Sequence, residues 1–388
     1  MIRKCVFLSN GFMDSCTGIQ HNQFAQAMKH NGVEFEFVNA AELGGPQLSA
    51  LLNELTEPRD DHLLVTFNGR IDFPKQKPGG EPYEIRWHHL CWLVDDPVQH
   101  FASLISLPAN TVMGVVEPFH ADILKQLGCA FKSVQVPHSN LDPLNEIIPI
   151  AKRQRRVLFA GSIAPLPDWA DMKRINPPQI HPFLEASEQC GQDQAARPQS
   201  VFDAFDQACK ERSIDHNQLP KQVLSGLLML GEMASNSLAR RRVLRILQKH
   251  MPIDLIGNID DPELLAMDDV TFLGRKDFQE VLEISSHLKA NICLTPKFPS
   301  AITERIWGAI ASGTPAFCSL STGLDEFEES VCQLDLSQSD ATLEEKLLSV
   351  LEDDVALQMM QEGALAKVAP HHHYIHHVAK ILDFFNQA

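Results

Sequence analysis

Short runs rich in valine, isoleucine, leucine and phenylalanine recur along the chain with helix-period stretches between them, the pattern of a parallel sheet covered by helices. In the first part of the chain these runs lie at residues 4–8, 34–38, 63–67, 89–93, 111–115 and 133–136, with helices starting near Thr17, Gly45, Gln99 and Pro118. A second series opens at 156–162 and resumes at 253–257, 270–274, 291–294 and 316–318. Two α/β domains are therefore expected, covering residues 1–150 and 151–370. The length of 388 residues agrees with two medium domains, or one large one with an insertion. The polar run Lys152-Arg153-Gln154-Arg155-Arg156 marks the change-over, either as a solvated basic stretch or as a site for phosphate or an acidic partner.

Between residues 165 and 250 strand signals vanish and helical spacing takes over, as in Val201, Phe205 and Ala208 and again in Val223, Leu227 and Leu230. This predicts a helical insertion in the second domain, entered through Pro165, Pro167, Pro177, Pro178 and Pro182, which cannot all sit in regular helix. Arg240, Arg241, Arg242 and Arg245 fall on a helix whose other face carries Leu238, Val243, Leu244 and Leu247, and a solvated basic face is the expectation for them.

Charge and apolar length exclude several classes. Fifty acidic against 33 basic side chains leave a net charge of -17, which repels a phosphate backbone, so nucleic acid is not an expected partner. The opening apolar run stops at Ser9-Asn10-Gly11, too early for a signal peptide. The longest apolar stretch, 223–234, is broken by Ser225, Gly226, Gly231 and Glu232 and falls short of a membrane span. A cytoplasmic protein without a transmembrane segment is expected, with peripheral membrane association left open. Nine cysteines, odd in number and without a C-x-x-C pair, suit buried free thiols in a reducing compartment. Neither G-x-S-x-G nor G-x-x-x-x-G-K-[ST] occurs, which removes serine hydrolases and P-loop enzymes.

The candidate chemistry lies at strand ends. Three strands of the second series finish in glycine, at Gly161-Ser162, Gly257-Asn258 and Gly274-Arg275. Ligands of open α/β sheets bind at carboxyl ends of strands, where glycine admits close approach to the backbone, so the three together point to a cleft. From Leu294 to Phe317 a buried strand ends at Thr295, a turn carries Lys297 and Ser300, and a helix opens at Thr303 and stops at Gly313-Thr314-Pro315. The helix N-terminus and Lys297 together would stabilise a diphosphate. Glu304 either accepts from ribose hydroxyls or interacts with the helix dipole and Arg305.

The 294–317 segment resembles the donor-site helix of GT-B-type glycosyltransferases, where an acidic residue precedes an Ala-x-Ala-x-Gly-Thr-Pro-like turn. It is similar, more narrowly, to the transferases related to the spore-maturation protein CgeB, whose helix reads close to Glu-Arg-Val-Phe-Glu-Ala-Met-Ala-Ser-Gly. Glu304-Arg305-Ile306-Trp307 and Ala309-Ile310-Ala311-Ser312-Gly313 follow that pattern, and Gly308 departs from it where many relatives carry a second glutamate. Trp92-Leu93-Val94-Asp95-Asp96-Pro97 with His100, the turn Pro137-His138, Gly323-Leu324-Asp325-Glu326-Phe327 and His373-Tyr374-Ile375-His376-His377 resemble further family segments.

The resemblance implies a GT-B-like α/β fold of two Rossmann-like domains facing a cleft, the second with an insertion at about 165–250 and with helix 371–388 packing back on the first. It implies a glycosyltransferase that takes a nucleotide-sugar as co-substrate, needs no cofactor or metal, and passes the sugar to a glycan, lipid-linked or protein acceptor, as in polysaccharide biosynthesis. Donor contacts are then expected from Gly161, Ser162, Gly257, Asn258, Gly274, Arg275, Lys297, Ser300, Thr303, Glu304 and Arg305. Asn10, Gly11 and His138 fall on the acceptor side, and the base that deprotonates the acceptor comes from Asp14, Asp95 or His100, with His21 and Asp96 nearby in sequence. Residues 10–14 also read as a plain flexible loop, and Asp95-Asp96-Pro97 as a helix cap before proline. The histidines at 371–373, 376 and 377 have no cysteine or carboxylate close by in sequence, so a C-terminal helix rather than zinc is expected there. An epimerase acting on a nucleotide-sugar, or a non-catalytic nucleotide- or glycan-binding protein, are the alternatives.

Overall fold

The computed structural model describes residues 1–9, 15–69, 84–368 and 370–387. The chain forms two compact units, one made of Met1–Ser139 with Pro370–Ala388 and the other of Asn140–Ala369. The first carries a six-stranded sheet of β1 (Lys4–Ser9), β2 (Glu34–Asn39), β3 (Arg59–Phe67), β4 (Trp87–Leu93), β5 (Thr111–Val115) and β6 (Lys132–Gln135). All pairings are parallel in the order β2-β1-β3-β4-β5-β6, so the winding direction reverses between β1 and β3. Strands covered on both faces must be apolar throughout, which is why Cys5, Val6, Phe7 and Leu8 are all buried.

The C-terminal helix Tyr374–Gln387 belongs to this unit. Its residues Tyr374, Val378, Ile381, Leu382 and Phe385, spaced on one helical face, join Phe24, Val65 and Trp92 in a single apolar cluster. Burying each such leucine or phenylalanine contributes about 1.5–3 kcal/mol.

The second unit carries β7 (Gln154–Ala160), β8 (Ile253–Ile256), β9 (Val270–Phe272), β10 (Leu288–Cys293), β11 (Ala316–Ser319) and β12 (Cys332–Leu334). They pair in parallel in the order β12-β11-β10-β7-β8-β9. The winding reverses between β7 and β10, and such a switch point leaves a crevice beyond the carboxyl ends of the two strands. Residues 140–150 pack with this unit: Leu144 N–H donates to Ala311 O at 2.8 Å, and Ile150 lies in the core with Val157 and Phe317.

Between β7 and β8 the chain runs through the helices Trp169–Ile175, His181–Ala196, Val201–Glu211 and Lys221–Leu247. The last of these spans 27 residues, and Ala239, Val243, Leu244 and Leu247 insert into the core beneath the sheet. The eight described cysteines are buried and free, and burial pushes the thiols of Cys91, Cys209 and Cys293 up to about 12. No helix among the described residues is long and apolar enough to cross a membrane.

Candidate functional site

The three glycine-ended strands of the second unit meet. Gly161 N–H donates to Ile256 O at 2.8 Å, Ile163 N–H to Asn258 O at 2.8 Å, and Gly257 N–H to Gly274 O at 3.0 Å. Gly257 has φ +122°, and a Cβ there would fall 2.1 Å from Gly161 O, so the crossing of these loops admits no side chain. Asn258 and Arg275 stand exposed at the rim, with Arg275 Nε donating to Asn258 Oδ1 at 2.6 Å. Ser162 is exposed beside them.

At the switch point, Arg240 reaches in from the long helix Lys221–Leu247. It does not lie on a solvated face as the spacing of its neighbours suggested: it is only 6% exposed. Its Nη1 donates to Ser162 O at 2.6 Å, beyond β7, while Nε and Nη2 both donate to Leu294 O at 3.3 Å, beyond β10. One guanidinium thus bridges the two strands that flank the crevice, and it stacks 5.8 Å from the Phe159 ring. No carboxylate among the described residues lies within ion-pair distance of it. Burial, with a smaller contribution from the neighbouring Arg305 cation, pushes Arg240 down to about 9. The rest of the basic run is paired with carboxylates: Arg241 with the buried Asp261 at 3.2 Å, Arg242 with Asp340 at 2.6 Å and Arg245 with Glu263 at 2.7 Å.

Lys297, from the turn after β10, lies 3.1 Å from Glu232 on the same long helix, and both side chains are buried. Arg305 Nε donates to Ala160 O at 3.1 Å and its Nη2 lies 3.9 Å from Glu304. The crevice therefore gathers Arg240, Lys297 and Arg305 against Glu232 and Glu304, an excess of positive charge. Neither Glu232 nor Arg240 was singled out from the sequence as a site residue.

The helix Glu304–Ala311 opens at the same place. Thr303 is its N-cap, but the hydroxyl makes no cap hydrogen bond; Thr303 is fully buried and Oγ1 finds no hydrogen-bond partner among the described residues. Ser300 is half-buried on the preceding turn, where its carbonyl lies so near Gly323 that a Cβ on Gly323 would come within 2.2 Å. Gly308 faces away from the crevice into packing, since a Cβ there would meet Phe278 at 3.1 Å and Leu282 at 3.2 Å.

In the first unit, the two adjacent carboxylates after β4 separate. Asp96 turns inward, is fully buried, accepts from Val98 N–H at 3.0 Å as the cap of the short helix Pro97–Gln99, and lies 3.9 Å from the buried His120. Asp95 stays 34% exposed, accepts from Asn68 Nδ2 at 3.0 Å and lies 3.4 Å from His100 Nε2. His138 is buried just beyond β6. His21 packs among aromatic rings, 4.3 Å from Phe37 and 5.3 Å from Phe7. Asn10, Gly11 and Asp14 lie outside the described residues.

Residues 238–383 match the family described as glycosyl transferase-like. No curated protein matches the chain. Among solved structures, a sucrose-phosphate synthase from Thermosynechococcus elongatus is 12% identical with a TM-score of 0.54, covering 99% of this chain and 98% of that one. An α-glucosyltransferase solved with UDP is 9% identical with a TM-score of 0.56 over 100% of both chains. A trehalose-6-phosphate synthase is 7% identical with a TM-score of 0.52, covering 100% of this chain and 99% of that one. At such identities the likeness concerns the fold: the chain is an α/β protein of two Rossmann-like units with the GT-B-like fold, and its C-terminal part is glycosyltransferase-like.

Proposed function

We propose that the second unit holds the diphosphate of a nucleotide-activated sugar, and that the protein transfers this sugar to a hydroxyl of an acceptor. The observation that carries the reading is the Arg240 guanidinium. A buried cation without a carboxylate partner is costly, and an anion in the same crevice relieves that cost. A guanidinium has five N–H donors, and three go to the two carbonyls, which leaves one on each terminal nitrogen for anionic oxygens. Thr303 Oγ1 and the first-turn amides of Glu304–Ala311 add neutral donors at the same corner.

In the reaction, the bond from the anomeric carbon to the diphosphate oxygen breaks as the acceptor oxygen bonds to that carbon, and the acceptor proton passes to a base. Arg240, Lys297 and Arg305 neutralise the charge that develops on the leaving diphosphate, so that in this reading no metal ion is needed. Glu304 receives the ribose hydroxyls, and the glycine ends at Gly161, Gly257 and Gly274, with Ser162, Asn258, Arg275 and Ser300, complete the donor surface. The first unit supplies the acceptor side, with Asp95 and His100 as the base and His138 near the acceptor. The Glu304-Arg305-Ile306-Trp307 and Ala309-Ile310-Ala311-Ser312-Gly313 segments support a CgeB-related transferase; in this reading it acts in the cytoplasm on a glycan, lipid-linked precursor or protein.

A panel of UDP-, GDP-, ADP- and dTDP-sugars, scored for slow release of nucleoside diphosphate, tests this. Turnover with one nucleotide class, lost in Arg240→Met and in Glu304→Ala, is expected. Donor isomerisation without any release would instead identify an epimerase, and binding without turnover a non-catalytic protein.

A further inference from the structure

Beyond the end of β3, Asn68 has φ +52° and Gly69 follows at φ +64°. The left-handed region costs a side-chain-bearing residue about 1–2 kcal/mol, least for asparagine and aspartate, and such residues cluster at functional sites. Asn68 is held there from several sides. Its N–H donates to Trp92 O at 2.8 Å, and its Oδ1 accepts from Val94 N–H at 3.0 Å. Anchored in this way to the end of β4, the 2%-exposed side chain directs Nδ2 at Asp95 Oδ2, 3.0 Å away. His100 Nε2 approaches that same oxygen at 3.4 Å. The neighbouring Asp96 is committed elsewhere, to Val98 N–H and toward His120.

Of the three side chains, Asn68 and His100 are buried and Asp95 is the one open to solvent. A carboxylate that accepts from a fixed amide and sits beside an imidazole cannot turn without losing one of the two contacts. We infer that Asn68 is a positioning residue, which holds the Asp95 carboxylate on His100 so that this pair can take the proton of an acceptor alcohol. The identity of the proton donor rests on the transferase reading; the coupling of the three side chains does not.

The test is the Nε2 signal of His100 in histidine-selective NMR on the full chain without donor, read at a single pH and assigned by its loss in His100→Gln. Asp95→Asn moves this signal, because the carboxylate oxygen beside Nε2 is replaced. Asn68→Gly keeps the left-handed backbone without strain but removes the amide, so the fold is preserved. It is expected to move the signal in the same direction by at least half as much as Asp95→Asn, and the double variant to match Asp95→Asn alone. An unmoved signal in Asn68→Gly, or full additivity in the double variant, overturns the assignment. Because no donor is present, that outcome would leave the diphosphate reading untouched, and a failure of donor binding would leave this one untouched.

Discussion

Replacing Arg240 with methionine separates the cost of a buried cation from its use. Burial pushes this guanidinium down to about 9, a penalty on the charged form on the order of 5 kcal/mol. Because the folded protein holds that proton less tightly than the unfolded chain, the penalty is fully present below pH 9 and the wild type gains stability as pH rises above that value. Methionine removes the penalty but orphans the carbonyls of Ser162 and Leu294, at about 1–3 kcal/mol each. These effects oppose one another, so the ligand-free variant should unfold within about 2 kcal/mol of the wild type at neutral pH. Binding has no such compensation: two charge-assisted hydrogen bonds at about 1.5–3 kcal/mol each are lost, which weakens diphosphate binding roughly 100-fold or more. The assay is thermal unfolding with inorganic pyrophosphate, UDP, GDP and ADP. At a ligand concentration of about 100 Kd the wild type gains about 2.7 kcal/mol, which is roughly 5–10 °C for a unit of this size. The variant at the same concentration gains about 1 °C. A variant that keeps the full rise would show that Arg240 is a strut between two strands and does not touch the ligand.

Three further outcomes follow from the packing. Lys297→Ala removes the cation 3.1 Å from the buried Glu232 and should cost about 3–5 kcal/mol in urea unfolding, whereas Lys297→Met with Glu232→Gln should recover most of that; equal losses in both would mean that the ion pair is not formed. Gly308→Glu places a glutamate where the CgeB-like pattern that this segment resembles has one, but its Cβ meets Phe278 and Leu282, so it should lower the Tm by the equivalent of about 2–4 kcal/mol rather than improve donor binding. His89, buried between Thr66 and Thr111, is held neutral by burial with its pKa lowered to about 3. The unfolded chain therefore binds its proton more readily between about 3 and 6.5, and stability falls as pH drops through that window. By pH 5 the loss from His89 is on the order of 2 kcal/mol, and His89→Gln should flatten the difference between urea midpoints at pH 7.5 and pH 5.

The central strands were legible because parallel strands covered on both faces must be continuous apolar runs; eleven of the twelve described strands overlap the runs read from the sequence, including the largely exposed edge strands β2, β6 and β9. β12, the three residues Cys332–Leu334, is too short and too polar at Gln333 to carry that signal. The helix opening at Thr303 was legible through its neighbours, since a strand, a polar turn and a Gly-Thr-Pro stop confine it. At Arg240 the three consecutive arginines suggest a wet face, but the helical period places it otherwise. Leu244 and Leu247, four and seven residues on, put Arg240 on the buried stripe. Glu232 carries a comparable signal, as an acid interrupting the longest apolar run. Asn68 carries only a turn signal, the Asn68-Gly69 dipeptide that favours left-handed backbone; its contact with Asp95 depends on β4, which lies beyond it in sequence.

The placement of these charges follows from what an open sheet lacks. Strand ends and helix N-termini offer amides and partial charge at a switch point, but no full charge, and here the loops after β7 and β8 are too tightly crossed at Gly161 and Gly257 to carry a cation themselves. A full charge must come from an element that crosses over the strand ends. The 27-residue helix Lys221–Leu247 does this: its last turns are fixed in the core by Val243, Leu244 and Leu247, and the preceding turns therefore present Arg240 and Glu232 at a set height over β7 and β10. A register change of one residue along this helix would rotate Arg240 by about 100° and remove it from both carbonyls. Arg240 lies just inside the stretch 238–383 that matches the glycosyl transferase-like family and Glu232 just before it, so the end of the inserted region sets the charge of the crevice.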